Sequence, residues 1–340
     1  MRTIWLLVLV VGCVSGAPGV LEVGPVAADP AEANPGLGRG ASDAVPDVRC
    51  AAAPAAGPAG AFHHFKNVLI SALGDPRHRG LDLVTSADAT GQTLEGWISY
   101  TVIDKALEDE DVDVFACRAG EWTRLGSART DDEGHFALAL SAAARLPIGM
   151  RDLFVSVVGD RTGVGFLGYV APAGTPLVVS DVDGTLTSSE NAFIETIVLG
   201  IEPAARAGAA HAYTDATLRG RQLVYVTSRG NQYTTATRDW LADKGFPRGP
   251  VRLAESFVTL PGSDTVEFKT RAITGLTATG LTLAGGVGNR ASDAAAYAAS
   301  GLGADRIFLE LPEFADEVQP VIDAHQAHGF TSYDNLVGEL

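Results

Sequence analysis

Between about residue 62 and residue 175, apolar and polar positions alternate in short runs broken by turn residues. Residues 97–103, 111–117, 135–140 and 153–158 each have the period of two expected of half-buried strands. The cluster Asp131-Asp132-Glu133-Gly134 supplies a tight turn between two of them. Several short strands with little helical periodicity predict a β-sandwich of immunoglobulin or transthyretin type over residues 61–175. At residue 176 the pattern changes. Leu177-Val178-Val179 is a buried-strand run, and further strands follow at 223–226, 251–253, 281–285 and 306–309. Helical spacing lies between them at 202–218, 234–244, 266–276 and 291–299. Strands alternating with helices predict an α/β domain over residues 176–340, built on a doubly wound parallel sheet. In such sheets ligands bind beyond the carboxyl ends of the strands.

The first sixteen residues carry Arg2, the apolar stretch from Ile4 to Val11, then small residues to Gly16. That layout reads as a secretory signal, and the stretch is too short to span a bilayer. Val10-Val11-Gly12-Cys13 also resembles a bacterial lipobox, so ordinary cleavage and lipid anchoring are both open. The expected location is therefore exported: periplasmic, extracellular or anchored to a membrane surface. Residues 17–60, dominated by Ala, Pro and Gly, bury too little to offset chain entropy and read as a disordered tether. Removal of the signal leaves Cys50 and Cys117, which either form a disulfide or remain free thiols.

With 25 basic against 41 acidic residues the net charge is −16, and no basic stripe exists for a nucleic-acid backbone. Nucleic acid is not an expected partner. Lys66, Lys105, Lys244 and Lys269 are the only lysines, so a Lys within a motif carries information.

Ser180-Asp181-Val182-Asp183-Gly184-Thr185 leaves the end of the first parallel strand. Carboxylates at i and i+2 on such a loop can share a divalent cation while one attacks phosphorus and the other moves the proton. Two other readings fit less well. An EF-hand loop would place Asp181, Asp183, Gly184 and Glu190 correctly but would start at Val179 and follow a strand; a plain acidic turn needs no ligand. After the second strand, the Thr227 and Ser228 hydroxyls can hold a phosphoryl oxygen and Arg229 can pair with an anion. Lys269 can neutralise phosphoryl and carboxylate charge together. Gly288-Asn289-Arg290-Ala291-Ser292-Asp293 opens a helix and brings Asn289 and Asp293 within one turn, where they can complete oxygen coordination of Mg²⁺. Gly286, Gly288 and Ala291 also match a dinucleotide fingerprint, but too little chain follows for that fold, so no dinucleotide is expected.

In order, Asp-x-Asp-Gly-Thr, Thr227, Lys269 and Gly-Asn-Arg-x-x-Asp resemble the four-part signature of the haloacid dehalogenase superfamily. Val224-Tyr225-Val226-Thr227-Ser228-Arg229, Trp240-Leu241, Gly245 to Pro250, and Gly288 to Asp293 through Ala296-Tyr297 narrow the resemblance to the lipin-type domain. That domain is shared by lipin phosphatidate phosphatases and membrane-associated phosphatidylinositol transfer proteins. The resemblance implies Asp181 as nucleophile, Asp183 as general acid and base, Thr227 and Lys269 on the phosphoryl group, and Asp181, Asp183, Asn289 and Asp293 around Mg²⁺. Gly184, Thr185, Ser228, Arg229 and Arg290 are the expected substrate contacts. It also implies two destinies, hydrolysis of phosphatidate or binding without turnover; retention of both Asp181 and Asp183 favours the enzyme. The gaps from Asp183 to Thr227 and on to Lys269 leave no room for a large cap, so an open site is expected, suited to a lipid phosphate or another phosphomonoester. Against a membrane-embedded substrate stands the acidic charge, with no polybasic tract or strong amphipathic anchor helix, so membrane contact is expected to be peripheral.

Overall fold

The computed structural model describes residues 45–101, 103–190, 202–255 and 263–340. The expected signal, the lipobox cysteine and the first part of the tether lie outside these residues. From residue 45 onward the described chain belongs to one compact unit.

The β-rich part contains β1 (Asp47–Val48), β2 (Arg79–Leu81), β3 (Leu83–Ser86), β4 (Thr93–Trp97), β5 (Ser99–Tyr100), β6 (Lys105–Ala106), β7 (Asp111–Arg118), β8 (Glu121–Arg129), β9 (His135–Ala139), β10 (Gly149–Val157) and β11 (Gly163–Ala171). One sheet runs β3-β11-β10-β7-β8, with β1 beside the start of β10, and a second runs β2-β4-β9. Leu94, Ile98 and Phe136 meet Val112, Val114, Leu153, Val155 and Phe166 in a shared core. This is the expected sandwich. The last part of the expected tether is not disordered: Asp47 and Val48 pair with Met150 and Arg151, Cys50 is disulfide-bonded to Cys117, and Gly60 donates to the Val158 carbonyl. A composition too apolar-poor for a core of its own is thus ordered by a neighbouring edge and a covalent link. Helix α1 (Phe65–Leu73) turns Phe65, Val68, Leu69 and Leu73 to the exterior, an apolar face absent from the sequence reading.

The second part is a parallel sheet in the order β14-β13-β12-β15-β16-β17, formed by β12 (Pro176–Ser180), β13 (Gln222–Gly230), β14 (Val251–Ala254), β15 (Thr282–Gly288), β16 (Ile307–Glu310) and β17 (His328–Phe330). Around it lie α2 (Ala209–Leu218), α3 (Thr234–Asp243), α4 (Ser263–Thr277), α5 (Ala291–Ala299) and α6 (Ala315–Asp323). Chain order reverses beside β12, which places the ends of β12, β13 and β15 together at a switch point. The helix expected from residue 202 begins at Ala209 instead. Residues ahead of it return to the loop that follows β12, Ala205 bridging Thr187, and Gly208 at φ +79° starts the helix.

The two parts share packing. Val84, Met150, Leu167 and Tyr169 from the sandwich join Val179, Val224, Phe268 and Leu276 in one cluster.

Candidate functional site

Four segments meet at the switch point. Asp181 and Asp183 leave β12; Thr227, Ser228 and Arg229 end β13; Lys269 comes from the middle of α4; Asn289 to Asp293 join β15 to α5. Lys269 is buried, with Nζ 2.7 Å from Asp181 Oδ1 and 2.5 Å from Asp293 Oδ1. The other oxygen of Asp293 accepts the backbone N–H groups of Asn289 at 3.1 Å and Arg290 at 3.0 Å, capping α5. The Thr185 hydroxyl lies 3.2 Å from Asp181 Oδ2 and 3.1 Å from Asn289 Oδ1, tying the first loop to the last.

Gly184 makes this approach feasible. Its φ is +68°, and a Cβ there would fall 2.0 Å from Asn289 Nδ2 and 2.7 Å from Glu190 Oε2.

Asp183 does not join the lysine cluster, against the expectation that both aspartates turn to one cation. Its two oxygens meet Arg229 Nε at 2.9 Å and Nη2 at 2.7 Å, and the Thr227 hydroxyl donates to it at 3.2 Å. The planar guanidinium matches both carboxylate oxygens at once and so fixes the orientation of the Asp183 side chain. Arg290, expected to contact substrate, has partners within the protein. It pairs with Glu317, approaches Glu190 at 3.6 Å and lies 4.0 Å from the centre of the Phe314 ring. Ser228 Oγ is buried with no hydrogen-bond partner among the described residues, so it retains a donor for a ligand.

Residues outside the motifs complete the site. Glu190, 3.1 Å from Asn289 Nδ2, brings a further carboxylate to its edge. Arg206 donates to the Gly184 carbonyl at 2.8 Å and pairs with Glu310 and Glu313, bracing the Asp181–Asp183 loop. No local spacing marks either residue. Glu190 entered the sequence reading only as a position of the EF-hand alternative.

Burial pushes the Asp181 carboxyl above its ordinary range; Lys269 pulls it back, and Asp293, Glu190 and Asp183 push it up again. Burial opposes the Lys269 ammonium, but Asp181 and Asp293 outweigh it and hold the amine charged. Asp181 and Glu190 are thus crowded carboxyls whose charged forms the site disfavours, a crowding that a hard cation would relieve. No group of three or more His, Cys, Asp or Glu side chains able to cage a metal occurs among the described residues. Mg²⁺ does not require one, since it keeps water and takes one or two carboxylates together with phosphate oxygens. Asp181 Oδ2 and Asn289 Oδ1, both beside the Thr185 hydroxyl, are a donor pair that fits it.

Residues 178–310 match the family model described as PITM 1-3, LNS2 domain, and residues 76–170 match that of the PITM 1-3 beta-sandwich domain. Over these two stretches the chain is similar to the β-sandwich and LNS2 domains of the PITM type. Protein retinal degeneration B of Drosophila melanogaster is 29% identical over 237 residues, 68% of this chain and 18% of the fly protein. Membrane-associated phosphatidylinositol transfer protein 2 of Mus musculus is 30% identical over 188 residues, 54% of this chain and 14% of the mouse protein. The matched region therefore spans under a fifth of either relative. Among solved structures, D,D-heptose 1.7-bisphosphate phosphatase from B. bronchiseptica, complexed with magnesium and phosphate, aligns at a TM-score of 0.38 and 16% identity, covering 48% of this chain and 99% of its own.

These relatives correct one expectation. The phosphatidylinositol transfer proteins among them are named as membrane-associated rather than exported, and the exported or lipid-anchored location is withdrawn on that ground. Among the described residues no helix is long and apolar enough to cross a membrane.

Proposed function

We propose that the LNS2 site is a Mg²⁺-dependent phosphatase acting on a lipid phosphomonoester, with phosphatidate as the leading substrate. The observation that carries this reading is the Lys269 bridge between Asp181 and Asp293, which aims a buried carboxylate beside a fixed ammonium. Asp181 attacks phosphorus, the ester P–O bond breaks, and the leaving oxygen takes a proton from Asp183; water then cleaves the aspartyl phosphate and releases inorganic phosphate. Lys269 and Ser228 offer donors to the phosphoryl oxygens. Asp181 and Asn289 would hold the cation, which supplies neutralisation of phosphate charge. The lipid nature of the substrate is supported by the names of the relatives, which are phosphatidylinositol transfer proteins.

The grip of Arg229 on Asp183 favours a second reading, a lipid-phosphate binding module without turnover, because both carboxylate oxygens are engaged by the guanidinium fork and neither is turned toward a leaving group. Phosphate release from phosphatidate in mixed micelles, with Mg²⁺ and with chelator, decides between them. The enzyme reading expects Mg²⁺-dependent release that Asp181→Asn abolishes. Saturable phosphatidate binding with no release establishes the module instead. Hydrolysis of soluble phosphomonoesters in preference to phosphatidate would remove the lipid assignment.

A further inference from the structure

A cavity of about 380 Å³ lies where the β-sandwich meets the parallel sheet, within the size range of small-molecule sites. β2 and β4 wall it with Arg79, Glu95 and Trp97, β14 with Arg252 and the Glu255 that follows the strand, and α4 with Phe268, Gly275 and Leu276.

Its cationic groups are not saturated by the protein. The Arg252 guanidinium has one hydrogen bond, from Nη1 to the carbonyl of its neighbour Val251 at 3.2 Å, and no ion-pair partner among the described residues. The nearby Asp82 is already taken: its oxygens accept Leu167 N, Val251 N and Arg238. Burial presses the Arg252 guanidinium below its usual range, against the attraction of Asp82 and Glu95. Arg79 commits both terminal nitrogens to Asp104 at 2.8 Å, yet its buried Nε has no partner. Guanidinium donors left unused by the protein are open to an anionic head, which would satisfy them more strongly than water does. Apolar surface surrounds these donors. Trp97 lies under Arg79, with the guanidinium carbon 5.7 Å from the ring centre, while Phe268 and Leu276 close the other side.

We propose that this junction cavity binds an amphipathic organic oxyanion, its acidic head held by Arg252 and the Nε–H of Arg79 and its apolar body packed against Trp97, Phe268 and Leu276. A phosphate, sulfonate or carboxylate head suits the fork equally; the volume admits a short single chain or ring and excludes a two-chain lipid. The site is separate from Asp181 and does not rest on the hydrolytic reading. Phe268 immediately precedes Lys269 on α4, so an occupant of the cavity leans on the helix that presents the catalytic lysine.

Titration of the full chain with octanesulfonate, which carries no hydrolysable ester, followed by calorimetry, tests this. Saturable binding is expected, with octanol and inorganic phosphate each weaker by roughly tenfold or more, since each supplies only half of the recognition. Arg252→Met should weaken octanesulfonate by a similar factor. Gly275→Leu supplies a variant that keeps its fold, because a Cβ at Gly275 meets nothing within 4 Å and leucine favours helix over glycine. It should fill the cavity and remove binding while the melting temperature holds or rises. Asp181→Asn should bind as the unaltered chain does. Failure to saturate, equal affinity for octanol or for phosphate, full binding by Gly275→Leu, or loss of binding in Asp181→Asn would each overturn the proposal.

Discussion

Arg229 meets both oxygens of Asp183, at 2.9 and 2.7 Å, two positions along the chain from an Asp181 that turns instead to Lys269. Side-chain exposure is 3% for the arginine and 15% for the aspartate, so the pair is close to fully desolvated. Removing one partner of such a pair strands the other. Arg229→Gln is expected to lower stability by about 3 kcal/mol, and Arg229→Lys, which keeps the charge but loses the fork, by less. A denaturant midpoint unchanged in Arg229→Gln would show that the pair does not hold the loop.

Gly184→Ala places a side chain where Asn289 and Glu190 already stand. The left-handed backbone alone costs about 1–2 kcal/mol for a residue with a Cβ, and the collision adds to it. A clear loss of melting temperature is expected, together with loss of phosphate release or of phosphatidate binding. A variant with ordinary stability and ordinary function would mean that the first and last loops do not pack as described.

Much of this site was readable in the chain because each motif stands where an apolar run ends. Leu177-Val178-Val179 before Asp181 and Val224-Tyr225-Val226 before Thr227 mark buried strands whose next residues must emerge at the same sheet edge. What escaped depends on contacts distant in sequence. Nothing near Asp183 shows that it will choose Arg229, and Arg206 reaches Gly184 from a segment that reads as helix. β8 was missed because most of its residues are exposed or half-buried, which erases the alternation, and β11 because Gly163, Gly165 and Gly168 dilute its apolar pattern. β1 has two residues, too few for any period, and owes its place to β10.

The crowding of carboxyls around Asp181 predicts a response to metal. A ligand that binds only the folded state raises its stability by mass action, so Mg²⁺ should raise the melting temperature and a chelator should reverse the gain. Asn289→Leu is expected to remove the response. Asp183→Asn should retain it, because Asp183 faces Arg229. The opposite pattern between the two variants would return Asp183 to the cation.

Glu310 predicts a pH dependence away from the phosphoryl site. One of its oxygens is 3.1 Å from Arg206 and the other is buried with no partner. Burial pushes the carboxyl from 4.5 up to about 7, against the pull of Arg206. The folded chain therefore keeps a proton that the unfolded chain releases. This contribution is full below about pH 4.5 and is lost as pH rises toward 7. Glu310→Gln keeps the shape and cannot titrate, so the difference in stability between variant and unaltered chain should shift in favour of the variant across that window. A difference that stays flat from pH 4 to 8 would mean that Glu310 is ionised throughout.

Asp82 ties the sandwich to the parallel sheet and predicts how the chain comes apart. It is 1% exposed and accepts Leu167 N on β11 at 2.7 Å, Val251 N on β14 at 2.8 Å, and Arg238 on α3 at 2.9 Å. Alanine at this position leaves two backbone donors and a guanidinium without an acceptor at the junction. Each unsatisfied buried group costs about 1–3 kcal/mol, so Asp82→Ala should be among the most damaging single changes in the chain. Asparagine keeps one acceptor oxygen and should fall between. Because the junction cluster joins Val84 and Leu167 to Val224, Phe268 and Leu276, the loss should appear as uncoupling: calorimetry is expected to resolve two transitions in Asp82→Ala where the unaltered chain shows one. A single transition merely moved to lower temperature would show that the shared apolar cluster, rather than the carboxylate, makes the two parts unfold together.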